Sequence, residues 1–195
     1  MDASPSASTT ERSQAFPAIG WAGLVAGVLD ISSAFALSYP KGVGPIRVLQ
    51  GVAAGLVGRE AAINGGLATA GLGLAIHFFI AFVAATVFYV ASRKLIFLTR
   101  HAIIAGLLYG VVVYGFMYWI VMPLAYPVVH PSLSRDLTAV CVHMLLIGLP
   151  IALIVRGYSR AQLPVSPKPS EGGSTLPSAS AQGLSLSNGN SQPPE

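Results

Sequence analysis

Four side chains in this sequence could exchange protons or bind a polar ligand inside an apolar environment. They are Asp30, His77, Tyr114 and His143, and each lies within a long apolar run. An ionisable group inside a membrane span costs at least about 2.5 kcal/mol on insertion scales, so such groups usually have a specific partner or function. A carboxyl group, two imidazoles and a phenol could relay a proton, hold a polar solute or join helices by hydrogen bonds.

The runs that carry these side chains predict an all-α fold, an integral membrane bundle of four transmembrane helices. The chain has 195 residues, of which 53% are hydrophobic and only 9% are charged, whereas roughly a quarter of an ordinary soluble domain is charged. Each run has the roughly 20 residues needed to cross the hydrocarbon layer. Within a transmembrane domain of residues 18–157, the predicted spans cover about 18–39, 66–92, 102–126 and 137–156.

The segment between the first two spans has a different pattern. Residues 46–63 place apolar side chains at helical spacing, but polar ones such as Arg47 and Gln50 interrupt them. This pattern predicts an amphipathic helix that either lies in the membrane interface or enters the bilayer and returns. Gly51, Gly55 and Gly58 would allow the second arrangement, because glycines permit close packing against the bundle.

The two ends of the chain are predicted to be disordered. Residues 1–17 and 158–195 are rich in small and polar residues and have too few apolar ones to form a core. An alternative for the amino end is a cleaved signal peptide, with Ala34, Phe35 and Ala36 as the cleavage site. Cleavage would leave three spans and remove Asp30.

The distribution of basic residues predicts the orientation. With four spans, seven of the 11 Lys and Arg residues fall on the side that holds both termini, and four fall on the other side. Cytoplasmic loops carry the excess of basic residues. We therefore expect a multipass protein of the bacterial inner (plasma) membrane with both termini in the cytoplasm.

The four ionisable or phenolic side chains are predicted to share one layer of the bilayer. At a rise of 1.5 Å per residue, Asp30 and Tyr114 lie about 18 Å from the cytoplasmic edge, His143 about 20 Å and His77 about 21 Å. Small residues on the same helix faces should turn these side chains inward, because they let helices approach closely. The predicted packing residues are Gly23, Gly27, Gly73, Gly106 and Gly110, and Pro150 is predicted to kink the fourth span.

The sequence is compatible with three functions. The first is a structural or accessory membrane component with a buried Asp/His/Tyr layer. The second is a proton-linked carrier or channel for a small solute, acting as an oligomer because four helices leave little room for a pathway. The third is a haem protein with His77 and His143 as axial ligands.

Other chemistry is not favoured. The sequence has no nucleophile with a neighbouring base and no metal-ligand spacing, so no catalytic residue, metal or cofactor is predicted and an enzyme is not the favoured class. Cys141, the single cysteine, is expected to be a small buried residue. The predicted partners are the lipid bilayer and a second copy of the chain; the sequence indicates no other protein partner. Nucleic acid is not indicated, because the basic residues form no patch with interleaved aromatics.

Five short segments of the sequence carry a resemblance to known proteins: Gly23 to Asp30, Val48 to Gln50, His77 to Ala81, Leu108 to Gly110, and Gly148 to Ala152 after His143. Together they resemble a group of small, uncharacterised bacterial four-span inner-membrane proteins over about residues 18–157. More distantly, the layout is similar to that of the YagU-like inner-membrane proteins, which are linked to acid resistance. The resemblance implies a location and an architecture, and it assigns no activity and no site residues.

Overall fold

The fold is that of an all-α bundle with four apolar helices. A computed structural model describes residues 7–122 and 133–160, and these residues form helices and turns without a strand. Within them, four helical segments are long and apolar enough to cross a membrane, which confirms the predicted fold class. We call them spans 1 to 4, and they cover Gln14–Lys41, Gly66–Lys94, Ala102–Val121 and Asp136–Ser159.

The spans are assembled from shorter helical elements. In chain order the α-helices are α1 (Ala7–Ser38), α2 (Pro45–Val57), α3 (Arg59–Asn64), α4 (Gly66–Lys94), α5 (Ile96–Arg100), α6 (Ala102–Phe116), α7 (Leu133–Val142) and α8 (Leu149–Arg160). A 3-10 turn, Tyr39–Lys41, ends span 1. Two π-helices, π1 (Met117–Val121) and π2 (His143–Gly148), complete spans 3 and 4.

Helix α1 begins earlier than the sequence pattern predicted. Residues 1–17 were expected to be disordered, but α1 starts at Ala7 and Pro17 lies inside it. The boundary was predicted from composition, because the residues before the apolar run are mostly small and polar. Once a helix has nucleated, each added residue costs little, so the apolar part of α1 can propagate through the polar residues before it. The predicted tail falls on residues 158–195, of which 158–160 are helical and the rest lie outside the described part of the chain.

The connection between spans 1 and 2 contains two helices where one was predicted over 46–63. Helices α2 and α3 are separated at Gly58, whose φ of 82° is readily adopted only by a residue without a side chain. Helix α2 packs along the first part of α4, where Gly73 lies against the backbone of Leu49. This contact places the segment against span 2, and its position relative to the bilayer, in the interface or re-entrant, stays a prediction.

The bundle is tightly packed in the half that contains the described chain ends. Here α1 packs between α4 and α8, and α6 packs against π2 and α8. The contacts are close because many of them are made by alanine and glycine: a Cβ added to Gly106 would lie 2.9 Å from the carbonyl oxygen of Gly148. In the described part of the chain, only three side chains larger than alanine are almost fully buried, and they are Phe88, Ile151 and Val155.

Tyr109 of span 3 contacts span 2 through both its hydroxyl group and its ring. The hydroxyl of Tyr109 donates a hydrogen bond to the carbonyl oxygen of Ala84 at 2.7 Å, and its ring makes an edge-to-face contact with Phe88. Beyond this contact, towards the side away from the described chain ends, the four spans separate. The side chain of Cys141 is exposed on the outside of α7, so the expected burial of this cysteine is wrong, because a membrane helix can turn a small apolar residue towards lipid.

Candidate functional site

A cavity of about 920 Å³ occupies the half of the bundle in which the spans separate. All four side chains that the sequence singled out line it, and each comes from a different span. We call the end of the cavity next to the tightly packed half, where α1 packs against α4 and π2, its floor. The polar and aromatic residues around it are Asp30, Ser33, Lys41, His77, Tyr114, Tyr118, Asp136, Thr138 and His143.

Asp30 and His77 form an ion-pair contact across α1 and α4. Oδ2 of Asp30 lies 3.9 Å from Nδ1 of His77, which is within ion-pair range but longer than a direct hydrogen bond. Their side chains are 24% and 13% exposed, respectively, so both remain accessible from the cavity. The Asp30–His77 pair therefore forms one wall of the cavity and is not sealed between the helices.

A second contact fixes the role of each His77 nitrogen. Nε2 lies 2.9 Å from the carbonyl oxygen of Gly27. Because a carbonyl oxygen can only accept, Nε2 must carry a hydrogen, and Nδ1 is left to face the carboxyl group of Asp30. The pair is electrically balanced when it holds one further proton, either on Nδ1 or on the carboxyl group.

His143 and Tyr114 form the opposite wall. Nδ1 of His143 donates to the carbonyl oxygen of Ala139 at 2.8 Å, which leaves its Nε2 as the nitrogen that can gain or lose a proton. The Tyr114 ring meets the His143 ring edge to face at 5.7 Å and stacks on Tyr118 at 5.4 Å. Both imidazoles, His77 and His143, lie within electrostatic range of the Asp30 carboxyl group.

The predicted small residues bring the walls into position. A Cβ on Gly27 would lie 2.8 Å from the ring of Phe78, and one on Gly23 would meet Phe82, so both glycines let α1 approach α4. A Cβ on Gly110 would meet the backbone of π2 at His143 and Met144, which is how span 3 comes next to span 4. Gly148, which the sequence analysis did not single out as a packing residue, completes this contact opposite Gly106 and Gly110.

Both spans that carry aromatic or imidazole groups of the cavity change helix type beside it. In π2 the amide of Leu149 donates to the carbonyl of Met144, five residues earlier, and π1 has the equivalent bond from Met122 to Met117. Pro150 lacks the amide hydrogen that would otherwise bond to the carbonyl four residues before it. The predicted irregularity at Pro150 therefore coincides with a π-helix, a feature often found at functional sites.

Two charged residues at the outer end of the cavity, Lys41 and Asp136, were not predicted from the sequence. Both lie near predicted span ends, where charged side chains are common and carry no special signal. Tyr118 had a weak signal, since it follows Tyr114 at helical spacing on the same face.

The imidazole geometry does not fit axial ligation of haem by both histidines. Nε2 of His77 is bonded to Gly27, and its Nδ1 faces a carboxyl group at 3.9 Å. A haem iron would have to replace one of these contacts. In the part of the chain that the structure describes, no three His, Cys, Asp or Glu side chains are grouped closely enough to hold a metal ion.

Comparison with known proteins adds no relative. The chain matches no family model, no curated protein and no solved structure. The resemblance to small four-span inner-membrane proteins stays a prediction.

Proposed function

We propose that this chain is a multipass membrane protein that binds a small organic solute in the cavity and transports it together with, or in exchange for, protons. The observation that carries this proposal is that ionisable side chains from three spans, with a tyrosine from the fourth, line one open cavity. Polar residues that only join helices are expected to be sealed between them by hydrogen bonds. Asp30 and His77 instead keep part of their surface accessible.

The size of the cavity supports the same proposal. About 920 Å³ is near the upper end of the range of small-molecule sites, which are mostly apolar with a few convergent polar groups. Intramembrane Asp and His residues are typical of proton pathways. A purely structural role would leave a cavity of this volume without an explanation.

The proposal includes the orientation and the assembly. We place the protein in the bacterial inner membrane with both termini in the cytoplasm, because the basic residues favour that side. The cavity would then open towards the periplasm, since most of its lining residues from spans 1, 3 and 4 lie in the half of the span away from the termini. Transport would require a rearrangement of the tightly packed half, and a homo-oligomer is the assembly we favour for it.

Thiol accessibility tests whether the cavity is open to water. In a Cys141→Ser background, Val113→Cys places a thiol in the cavity and Val112→Cys places one on the exposed outer face of the same helix. A charged, membrane-impermeant thiol reagent should label position 113 in lipid nanodiscs and leave 112 unlabelled, and in intact spheroplasts it should do so from the outside. If neither position 113 nor position 112 reacts with the reagent, the cavity is not open to water.

Transport itself is tested in proteoliposomes with an imposed proton gradient. In wild-type protein the movement of the solute should be coupled to that of protons, in the same or in the opposite direction, and Asp30→Asn should abolish both fluxes while the protein still elutes as a folded species. Unchanged solute and proton movement in wild type and Asp30→Asn would favour the structural or accessory role.

A further inference from the structure

The charged groups of the cavity point to the class of solute. We propose that the cavity binds a monovalent organic cation with an apolar or aromatic body, and that this cation exchanges for the proton shared by Asp30 and His77. The inference rests on the proposed binding role of the cavity and adds the ligand class and the exchange step.

The Asp30–His77 contact permits one exchangeable proton. His77 cannot use Nε2 for this purpose, because that nitrogen donates to Gly27 at 2.9 Å. The remaining proton lies on Nδ1 of His77 or on the Asp30 carboxyl group, 3.9 Å away, and in either case the pair has no net charge. When that proton leaves, the pair carries one negative charge in apolar surroundings, a state that is costly unless a positive charge replaces it.

A cation at the carboxylate restores the balance. The step consumes one cation and releases one proton: the proton leaves Nδ1 or the carboxyl group for water in the cavity, and the positive charge of the ligand takes its place beside Asp30. No bond to carbon forms or breaks and no electron is transferred. The total charge of the cavity is the same before and after the exchange.

The other titratable groups that face the cavity do not supply a competing counter-charge at its floor. Lys41 and Asp136 lie at the outer ends of spans 1 and 4. Their charges are opposite in sign, so together they add nothing to the net charge of the cavity. From span 3 the cavity receives Tyr114 and Tyr118, and from α2 it receives valines. His143 faces Asp30 from span 4, and its protonation would compete with the cation in the same direction as that of His77.

The walls fit the body of such a ligand. The rings of Tyr114 and Tyr118 stack at 5.4 Å beside His143, and Met117 and Met122 continue this wall. Aromatic faces attract organic cations through their quadrupole, and methionine adapts to irregular apolar shapes. A carboxylate at the floor and aromatic rings on the wall together select a cation that also has an apolar surface.

The exchange is tested with purified protein and benzyltrimethylammonium as the probe. Calorimetric titration in buffers of different ionisation enthalpy should give release of about one proton per cation bound, and the apparent Kd should fall by about tenfold per pH unit as pH rises while the pair is still protonated. Asp30→Asn should lose both binding and proton release. Glu60→Gln, which removes an exposed acid that does not line the cavity, should keep proton release near the wild-type value.

A neutral probe of the same shape separates this inference from the proposed cavity function. Neopentylbenzene replaces the quaternary nitrogen with carbon, and it should bind at least about tenfold more weakly than the cation, a difference of about 1.4 kcal/mol. Equal binding of the two probes, unchanged binding in Asp30→Asn, or failure of both to bind would overturn the cation proposal. The thiol labelling at position 113 decides independently whether the cavity is open, so either proposal can fail alone.

Discussion

The carbonyl oxygen of Gly27 lies 2.9 Å from Nε2 of His77, so a glycine on span 1 determines which nitrogen of a span 2 histidine faces the carboxyl group of Asp30. The contact depends on close approach of the two helices. The hydrogen bond between His77 and Gly27 therefore links the packing of spans 1 and 2 to the protonation of the Asp30–His77 pair.

A methyl group at position 27 should therefore disturb both packing and proton exchange. In Gly27→Ala the added Cβ would lie 2.8 Å from the ring of Phe78 and 3.3 Å from Cβ of Ala81, so α1 and α4 must move apart or the ring must turn. We expect a loss of about 1–3 kcal/mol in unfolding free energy, as for other overpacked sites. Unfolding in mixed micelles measures it.

Gly20→Ala is the matched control, because it lies on the same helix and a Cβ there would meet nothing within 4 Å. It should be neutral or slightly stabilising, since alanine has the better helix propensity. Equal effects at positions 20 and 27 would show that the α1–α4 contact is looser than described.

The two contacts of His77 can be separated by substitution. His77→Gln keeps an amide that can donate to the carbonyl of Gly27, whereas His77→Leu removes the donor and the proton-binding nitrogen together. Interhelical hydrogen bonds in membrane proteins average about 0.6 kcal/mol, so we expect the leucine variant to be less stable than the glutamine variant by an amount of this order. Both should alter the wild-type pH dependence of cation binding, because Asp30 is then the one member of the pair that can hold the exchanging proton. Wild-type pH dependence in His77→Gln would place that proton on the Asp30 carboxyl group in the wild-type protein as well.

Gln50 should hold the α2–α3 segment against the start of span 2. Its side chain is buried, and its Nε2 donates to the carbonyl oxygens of Gly66 at 3.0 Å and Ile63 at 3.4 Å. Gln50→Leu leaves these carbonyls without that donor, at a cost of about 1–3 kcal/mol for a buried group. Hydrogen exchange should become faster across residues 63–69. Leu56→Ala, on an exposed part of the same helix, should leave exchange there unchanged.

The layer of polar residues was predictable because depth in a bilayer follows from residue number. A fixed rise of 1.5 Å per residue places Asp30, His77, Tyr114 and His143 within about 3 Å of one another in depth, and the glycine stripes indicate which faces turn inward. The structure brings these four side chains to one cavity. The depth of these side chains could be predicted without knowing how the helices tilt.

The cavity and the local helix changes were not predictable in the same way. A cavity depends on where helices diverge, and helix tilt is set by many weak contacts between spans. Gly58 was one of several glycines in its segment, and nothing in the sequence distinguished the one that adopts a φ of 82°. In a π-helix each amide bonds to the carbonyl five residues earlier, whereas in an α-helix it bonds to the carbonyl four residues earlier. In span 4, Pro150 was the only local indication that the first pattern would form.

Pro150 should maintain the π-helix that positions α7 beside the cavity. Replacing it with alanine restores an amide hydrogen that can bond to the carbonyl of Leu146, so an uninterrupted α-helix becomes available to residues 143–150. Conversion of π2 to α-helix would turn α7 relative to α8 by about 100°, the angle of one residue in an α-helix. Ala139, which lines the cavity, would then face elsewhere.

Thiol labelling measures this rotation. In the Cys141→Ser background, Ala139→Cys should react with an impermeant reagent when Pro150 is present and react at least about tenfold more slowly with Pro150→Ala, a change of about 1.4 kcal/mol in the free energy of exposing the thiol. Val113→Cys faces the same cavity from span 3 and should stay reactive in both backgrounds, because its own span is unaltered. Loss of reactivity at both positions would mean that the proline supports the cavity as a whole. An unchanged rate at position 139 would show that the π-helix does not depend on the proline, in which case the tight contact of Gly148 with Gly106 and Gly110 must impose it.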